Sequence, residues 1–449
     1  MSTLKVNKLR DTAGSADAIT LDPNGGAVLA GVTTVSTVKV GSGVTISSDG
    51  DVFTTGITTS STVIVGSGVT ISESGIEASG IGITCANING GQISGRRNII
   101  INGAMQVAQR GTSSTASSGY NTVDRIKQSH GGADEAPTYA QVDVASGTTP
   151  YTLGFRKAFK VTNGNQTSGA GAGDYIQIDY FPEAQDIANS GWNYTSTSSY
   201  VTVSFWIKSS VAQAFPFTFR TQDGTSQAYN TSTGSLTADT WTKITKAIPG
   251  NSNITMTNDN SAGLALHLVA FQGTDYTASG VAFDTWAAYA SGTRTPDFTS
   301  TWYTTNDSTF AFTGFQLEVG SVATPFEHRT YADDLIKCQR YFQIFGGDVA
   351  FTPFGTGVWK SSTAASCNLP LITQMRGAPT MVITNQGEGN IRSGGSNRDT
   401  TSVALDIASP QVIMYNANVS GAGTIGYGAL HYDSGGGSPY AQLIFSSEI

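Results

Sequence analysis

The chain has 449 residues, only 12% of them charged, with a formal net charge of −8 and a pI near 5.0. That balance offers no basic face for nucleic acid, and aromatics at 10% exclude a disordered composition. The length leaves room for roughly three domains. Abundant Thr, Val and Tyr with 53 Gly read as β-structure broken by many turns.

Cys85, Cys338 and Cys367 lie too far apart for a disulfide framework, and no zinc spacing occurs. The opening MSTLKVNKLRDTAGS has no apolar signal region, and no apolar run approaches the ~20 residues of a membrane helix. The expectation is a chain made in a reducing cytoplasm, without membrane insertion and without a cofactor.

Residues 1–30 have little core and read as an attachment arm. Residues 31–97 carry an internal repeat: VKVGSGVTIS (38–47) recurs as VIVGSGVTIS (63–72), offset by 25 residues. Each unit is written as two short strands broken by Gly-Ser-Gly. Two units are too few for a free solenoid. The reading is a Gly-rich β-repeat shaft in which several copies share an interior, with a small independent β-domain as the alternative. Residues 81–111 form a joint containing a basic pair, Arg96-Arg97, and an expected apolar strand, Ile99-Ile100-Ile101.

Residues 98–328 alternate apolar and polar side chains in short runs bounded by Gly, Asn, Asp and Ser. The clear cases are YIQIDYF (175–181), YVTVSFWIKSS (200–210), FPFTFRTQ (215–222), WTKITKAIP (241–249), LALHLVAF (264–271) and TFAFTGFQLEV (309–319). About eight such strands fit an antiparallel jelly-roll sandwich. Trp206 and Trp241 are expected in its core, and His267 as a structural histidine.

Residues 329–347 read as a helical collar. Thr330 suits an N-cap, and Asp333 and Asp334 place negative charge in the first turn. Leu335, Cys338, Phe342 and Phe345 fall on an a/d spacing that suits contact between copies, so they are the expected trimer contacts. The seam spans barely two heptads and needs help from flanking domains.

RNIIINGAMQVAQRGTSS, SFWIKSS and TGFQLEVGSVATPFEHRTYADDLIKCQRYFQ resemble the middle module of many bacteriophage tail-fibre proteins. That module is similar to carbohydrate-binding-module sandwiches. The resemblance spans residues 97–345. The opening STLKVNKLRDTAGS and the Gly-rich repeats resemble structural proteins of phages that infect marine cyanobacteria. The resemblance implies a homotrimeric fibre located in the virion. Its amino end would join the phage tail or an adaptor protein, and its far end would meet host surface polysaccharide. The sandwich loops depart from that picture, because they show no evident line of binding aromatics.

Residues 348–449 read as a second β-sandwich forming a tip, with strands at 365–372, 379–385, 402–408, 411–419, 426–433 and 441–449. Trp359, Tyr415, Tyr427, His431, Tyr432 and Tyr440 crowd it. Half or more of these rings belong to the core. Tyr427, Tyr432 and Tyr440 are the candidate receptor contacts, since aromatic faces stack on sugar C–H surfaces.

Catalytic signals are weak. No Gly-x-Ser-x-Gly elbow and no metal spacing occurs. GAGAG (169–173) lacks the lysine of a phosphate loop and reads as a turn. Asp134-Glu135 and Asp333-Asp334 are adjacent pairs, not carboxylates facing across a sugar. The chain is read as non-catalytic. The alternatives are a depolymerase tailspike, or a decoration or adaptor protein that binds no receptor.

Overall fold

The computed structural model describes residues 97–436 and 439–449 in full and, within residues 1–96, the backbone of six short strands. It divides into two compact units, Met1–Thr84 and Cys85–Ile449.

In the first unit, Lys8–Arg10, Asp17–Leu21 and Ala27–Leu29 form one antiparallel meander. Thr62–Val65, Val69–Ser72 and Gly75–Ala78 form another. The second repeat copy therefore folds as read, with Gly-Ser-Gly between paired Val65 and Val69. The first copy and Cys85 lie outside the described residues. So does the packing expected of the shaft and of the attachment arm.

The second unit is mostly β. Its amino-terminal half is a sandwich of two antiparallel sheets. The first runs, in spatial order, Thr242–Pro249, Tyr200–Ser209, Thr309–Val319, Lys157–Thr162, Thr138–Asp143, Ser113–Ser114. The second runs Trp286–Ala288, Gln227–Ser235, Ala214–Thr221, Leu264–Gln272, Tyr175–Tyr180, Lys127–Gly131, Ser118–Gly119. Alternation decides the inner faces: Phe215, Phe217 and Phe219 point in, as do Ile176, Ile178 and Tyr180. Between the sheets Phe205, Phe312 and Phe315 meet edge-on, with centroids 5.9 Å apart. Burying each such ring contributes about 1.5–3 kcal/mol.

All six strands expected in the sandwich are present. Ile99-Ile100-Ile101 is not a strand but a buried loop. Side chains and a distant strand claim its backbone: Ile99 N–H donates to Leu317 O at 2.8 Å, Ile100 N–H to Asn98 Oδ1 at 2.9 Å, and Ile101 N–H to Tyr180 Oη at 2.7 Å. Trp206 lies outside the main core. Phe205 and Ile207 take the inward positions, so Trp206 is half-buried on the outer face of the first sheet, beside Trp241.

The carboxy-terminal strands are present as well, four of the six in a closed barrel and those at 379–385 and 441–449 in a small sheet beside it. Pro353–Trp359, Ala364–Pro370, Val412–Val419, Ser396–Ala408, Gly389–Ser393 and Gly428–Asp433 close on themselves. Phe342–Gly346, Gln442–Ser446 and Thr380–Thr384 make a three-stranded sheet against it. Trp359 and Tyr415 fill the barrel core.

The helix Tyr331–Gln339 starts as read. Thr330 Oγ1 accepts from Asp333 N–H at 3.2 Å, and Asp333 Oδ2 accepts from Thr330 Oγ1 at 2.7 Å. The seam reading fails, because the helix stops at Gln339 and Phe342 and Phe345 sit on a strand. Cys338 is wholly buried in its own chain with Ile101, Val107 and Tyr341, and Leu335 packs on that cluster. Phe342 is buried under the Arg110 guanidinium, 3.5 Å from its ring centroid, and Phe345 packs on the barrel. The apolar side chains of the collar pack within their own chain, on the barrel core and on the cluster around Cys338.

Candidate functional site

The outer face of the second sheet concentrates polar side chains. Positions that alternate with the inward Ile and Phe residues carry Gln177 and Asp179, Thr218 and Arg220, and His267. Strand pairing sets them side by side, with Asp179 opposite His267 and His267 opposite Thr218. The connection after Leu264–Gln272 returns Thr295 to this face and ties it down through a bridge to Thr277.

These groups bond to one another. His267 Nδ1 lies 2.6 Å from Asp179 Oδ1 and 3.2 Å from Gln177 Nε2. Gln177 Nε2 donates to Asp179 Oδ1 at 2.6 Å, and Gln272 Nε2 to Gln177 Oε1 at 2.9 Å. Thr295 Oγ1 donates to Gln272 Oε1 at 3.2 Å, and Thr218 Oγ1 to Asn230 Oδ1 at 2.6 Å. Aromatic rings stand as walls. The Arg220 guanidinium lies 3.6 Å over the Tyr289 ring, and that of Arg294 lies 4.3 Å over Tyr276, which meets Tyr175 edge-on. A cavity of about 160 Å³ opens on this face, lined by Gln177, Thr218, Arg220, His267, Tyr289 and Arg294 among others. Fixed donors and acceptors beside phenol faces suit a ligand that is part hydroxyl and part C–H surface.

A larger groove of about 520 Å³ lies on the outer face of the first sheet, lined by Phe155, Trp206, Lys243, Phe326 and His328 among others. Its walls are mainly rings packed on one another, with Phe155 and Phe326 centroids 4.9 Å apart. It has few converging polar groups and makes the weaker site.

No family model and no curated protein matches the chain. Among solved structures, the chain is similar to a family 11 carbohydrate-binding module from Clostridium thermocellum in complex with a beta-1,3-1,4-mixed-linked tetrasaccharide. The identity is 13%, covering 44% of this chain and 91% of that one, with a TM-score of 0.20. It is similar also to the tandem CBM22 domains of Paenibacillus barcinonensis Xyn10C, at 9% identity over 81% of this chain and all of theirs, with a TM-score of 0.24. At these scores the superposition is loose, and the sandwich stands on its own sheet order.

The candidate contacts at the tip do not converge. Tyr427 is 59% exposed at one end of the strand Gly428–Asp433. Tyr432 is half-buried near the other end, about 15 Å along a strand. Tyr440 is half-buried on that same side, its carbonyl accepting from Asn385 Nδ2 at 3.2 Å. Tyr415 is core, 3.0 Å from His431 Nδ1. Both oxygens of Asp134 accept from Ser168. Among the described residues no group of three or more His, Cys, Asp or Glu could hold a metal ion.

His267, read from sequence as structural, sits inside the cleft. Gln177, Arg220, Tyr289 and Arg294 are not singled out from sequence. Gln177 and Arg220 fall on the polar parity of strands whose other parity is apolar, whereas Tyr289 and Arg294 lie in a connection without such a pattern.

Proposed function

We propose that the chain binds glycan without catalysis, through the polar cleft on the second sheet. The observation that carries this reading is the Gln177–Asp179–His267–Gln272 network, held by the sheet beside the Tyr289 ring. Such preset donors and acceptors lose little freedom on binding a hydroxylated ring. In the finer reading the protein is a homotrimeric phage tail fibre in the virion. It joins the tail or an adaptor through its amino-terminal segment and presents the cleft to host surface polysaccharide. The sequence resemblance of residues 97–345 supports that part. Because the helix seam is spent within the chain, a trimer uses other surfaces. Several weak cleft contacts on one fibre would then act together.

The full chain applied to a glycan array tests the cleft. Retention of a defined set of glycans, reduced at least about tenfold in affinity by Gln177→Ala, is expected, since that change leaves cleft partners unpaired. Binding indifferent to Gln177→Ala would remove the cleft reading. Release of reducing sugar by the purified chain would favour a depolymerase. Light scattering tests assembly separately: three times 46.7 kDa is expected, and a monodisperse 46.7 kDa particle removes the fibre model while leaving the cleft.

A further inference from the structure

We infer that the cleft selects glycans bearing oxyanions, carboxylate or sulfate, on the sugar ring. This rests on the glycan-binding reading above and narrows it. Two arginines line one small cavity, Arg220 from the strand Ala214–Thr221 and Arg294 from the returning connection. Each guanidinium lies flat against a phenol ring, and each is anchored through Nε alone. Arg220 Nε donates to Ser226 Oγ at 3.0 Å and Arg294 Nε to Ser291 O at 2.9 Å.

Among the described residues, neither arginine has an ion-pair partner, and neither has a hydrogen bond from its terminal nitrogens. Asp179, on the same sheet face, is engaged by His267 and Gln177. Elsewhere the fully buried Arg125 grips Glu448 and the half-buried Arg340 grips Glu183, while the half-buried Arg398 lies over Trp359 and donates through Nε to Ala422 O. Two ring-stacked guanidinium groups lining one cavity without an ion-pair partner among the described residues suit a planar or tetrahedral oxyanion. A neutral sugar would leave both charges to water alone.

The test compares oligogalacturonate with its methyl ester, which removes the charge and adds one methyl group per carboxyl, and adds a sulfated galactan of similar length. Titration calorimetry on the full chain should show the carboxylate form binding about tenfold or more tightly than the ester, with the advantage shrinking as salt rises. In Arg220→Gln and Arg294→Gln the charged-to-ester affinity ratio should fall toward one. Arg220→Lys, which keeps the charge but loses the fork, should fall between. An unchanged melting temperature shows that each variant folds. The sulfated ligand decides between carboxylate and sulfate as the natural group. Equal affinity for acid and ester overturns this inference alone, whereas failure of every glycan, charged or neutral, overturns the cleft reading with it.

Discussion

His431 makes the barrel sensitive to acid. The ring is fully buried in the barrel wall, against Phe354 with centroids 4.9 Å apart and Tyr415 at 5.5 Å. Nδ1 has the Tyr415 hydroxyl at 3.0 Å, while Nε2 has no partner. Burial therefore pushes its pKa down from 6.5 to about 4. Between these values the unfolded chain takes up the proton and the folded barrel does not. Stability is complete above about 6.5 and declines as the pH falls toward 4. At 1.36 kcal/mol per pH unit the loss reaches roughly 3 kcal/mol by the lower limit. The assay is urea unfolding from neutral pH to pH 4, with barrel opening read by deuterium uptake in peptides covering Gly428–Asp433. The comparison is His431→Asn, which can still accept from Tyr415 and cannot titrate. The variant starts less stable because it leaves a cavity, but its stability should fall with pH less steeply than the parent's by that same amount. Parallel curves for the two proteins would refute the reasoning, because the acid loss would then belong to other groups.

Further tests address the junction between sandwich and barrel. Glu183 is 1% exposed and accepts from Arg340 Nε at 2.7 Å, Arg340 Nη2 at 2.8 Å and the Tyr341 hydroxyl. Burial raises its pKa, but the bonds from Arg340 and Tyr341 outweigh that and hold it below the usual range. Glu183→Gln should cost about 3 kcal/mol by chemical denaturation, since it strands a charge; a loss under about 0.5 kcal/mol, typical of a surface site, would contradict it. Glu448→Gln leaves wholly buried Arg125 without its ion pair and should destabilise by a similar amount, about 3 kcal/mol. Gly103→Ala would place a Cβ 2.1 Å from Phe315 O, and a melting temperature unaffected by it would show that this close approach relaxes freely. Burial pushes the Cys338 thiol well up and that of Cys367 to about 12. Iodoacetamide should modify neither before unfolding, as followed residue by residue in a mass spectrometer.

The strands of both halves were legible because each follows a two-residue alternation between bounded turns. What the alternation hid was partnership. The spacing of Leu335, Cys338, Phe342 and Phe345 is equally good for a helix seam and for a helix running into a strand. Arg340 and Tyr341 end the helical reading by turning to Glu183, a residue 157 positions away from Arg340. The motif that resembles tail-fibre modules also has an internal use. Asn98 Nδ2 donates to Phe315 O at 3.1 Å, Leu317 N–H donates to Asn98 Oδ1 at 3.1 Å, and Arg329 Nη1 donates to Ile100 O at 3.0 Å. RNIIING and the 315–329 stretch thus staple each other. Such pairings join residues more than two hundred positions apart, and no local pattern announces them.

The same limit explains why the cleft escaped notice, and it bears on whether the cleft is functional. On the outside of a solvent-facing sheet, polar residues are ordinary and need no account. Here several are not in solvent. Asp179, Asn230 and Gln272 are each 5% exposed and Thr295 is 1% exposed, because the chain after Gln272 folds back over them. Taking such groups out of water gains only about 1 kcal/mol per satisfied bond, and apolar residues of the same shape would hold the sheet about as well. A fold governed by stability alone would have continued the Val269 and Ala265 surface across the face. That it buries a bonded polar network instead, beside two arginines without ion-pair partners among the described residues, is the physical ground for proposing a ligand on this face.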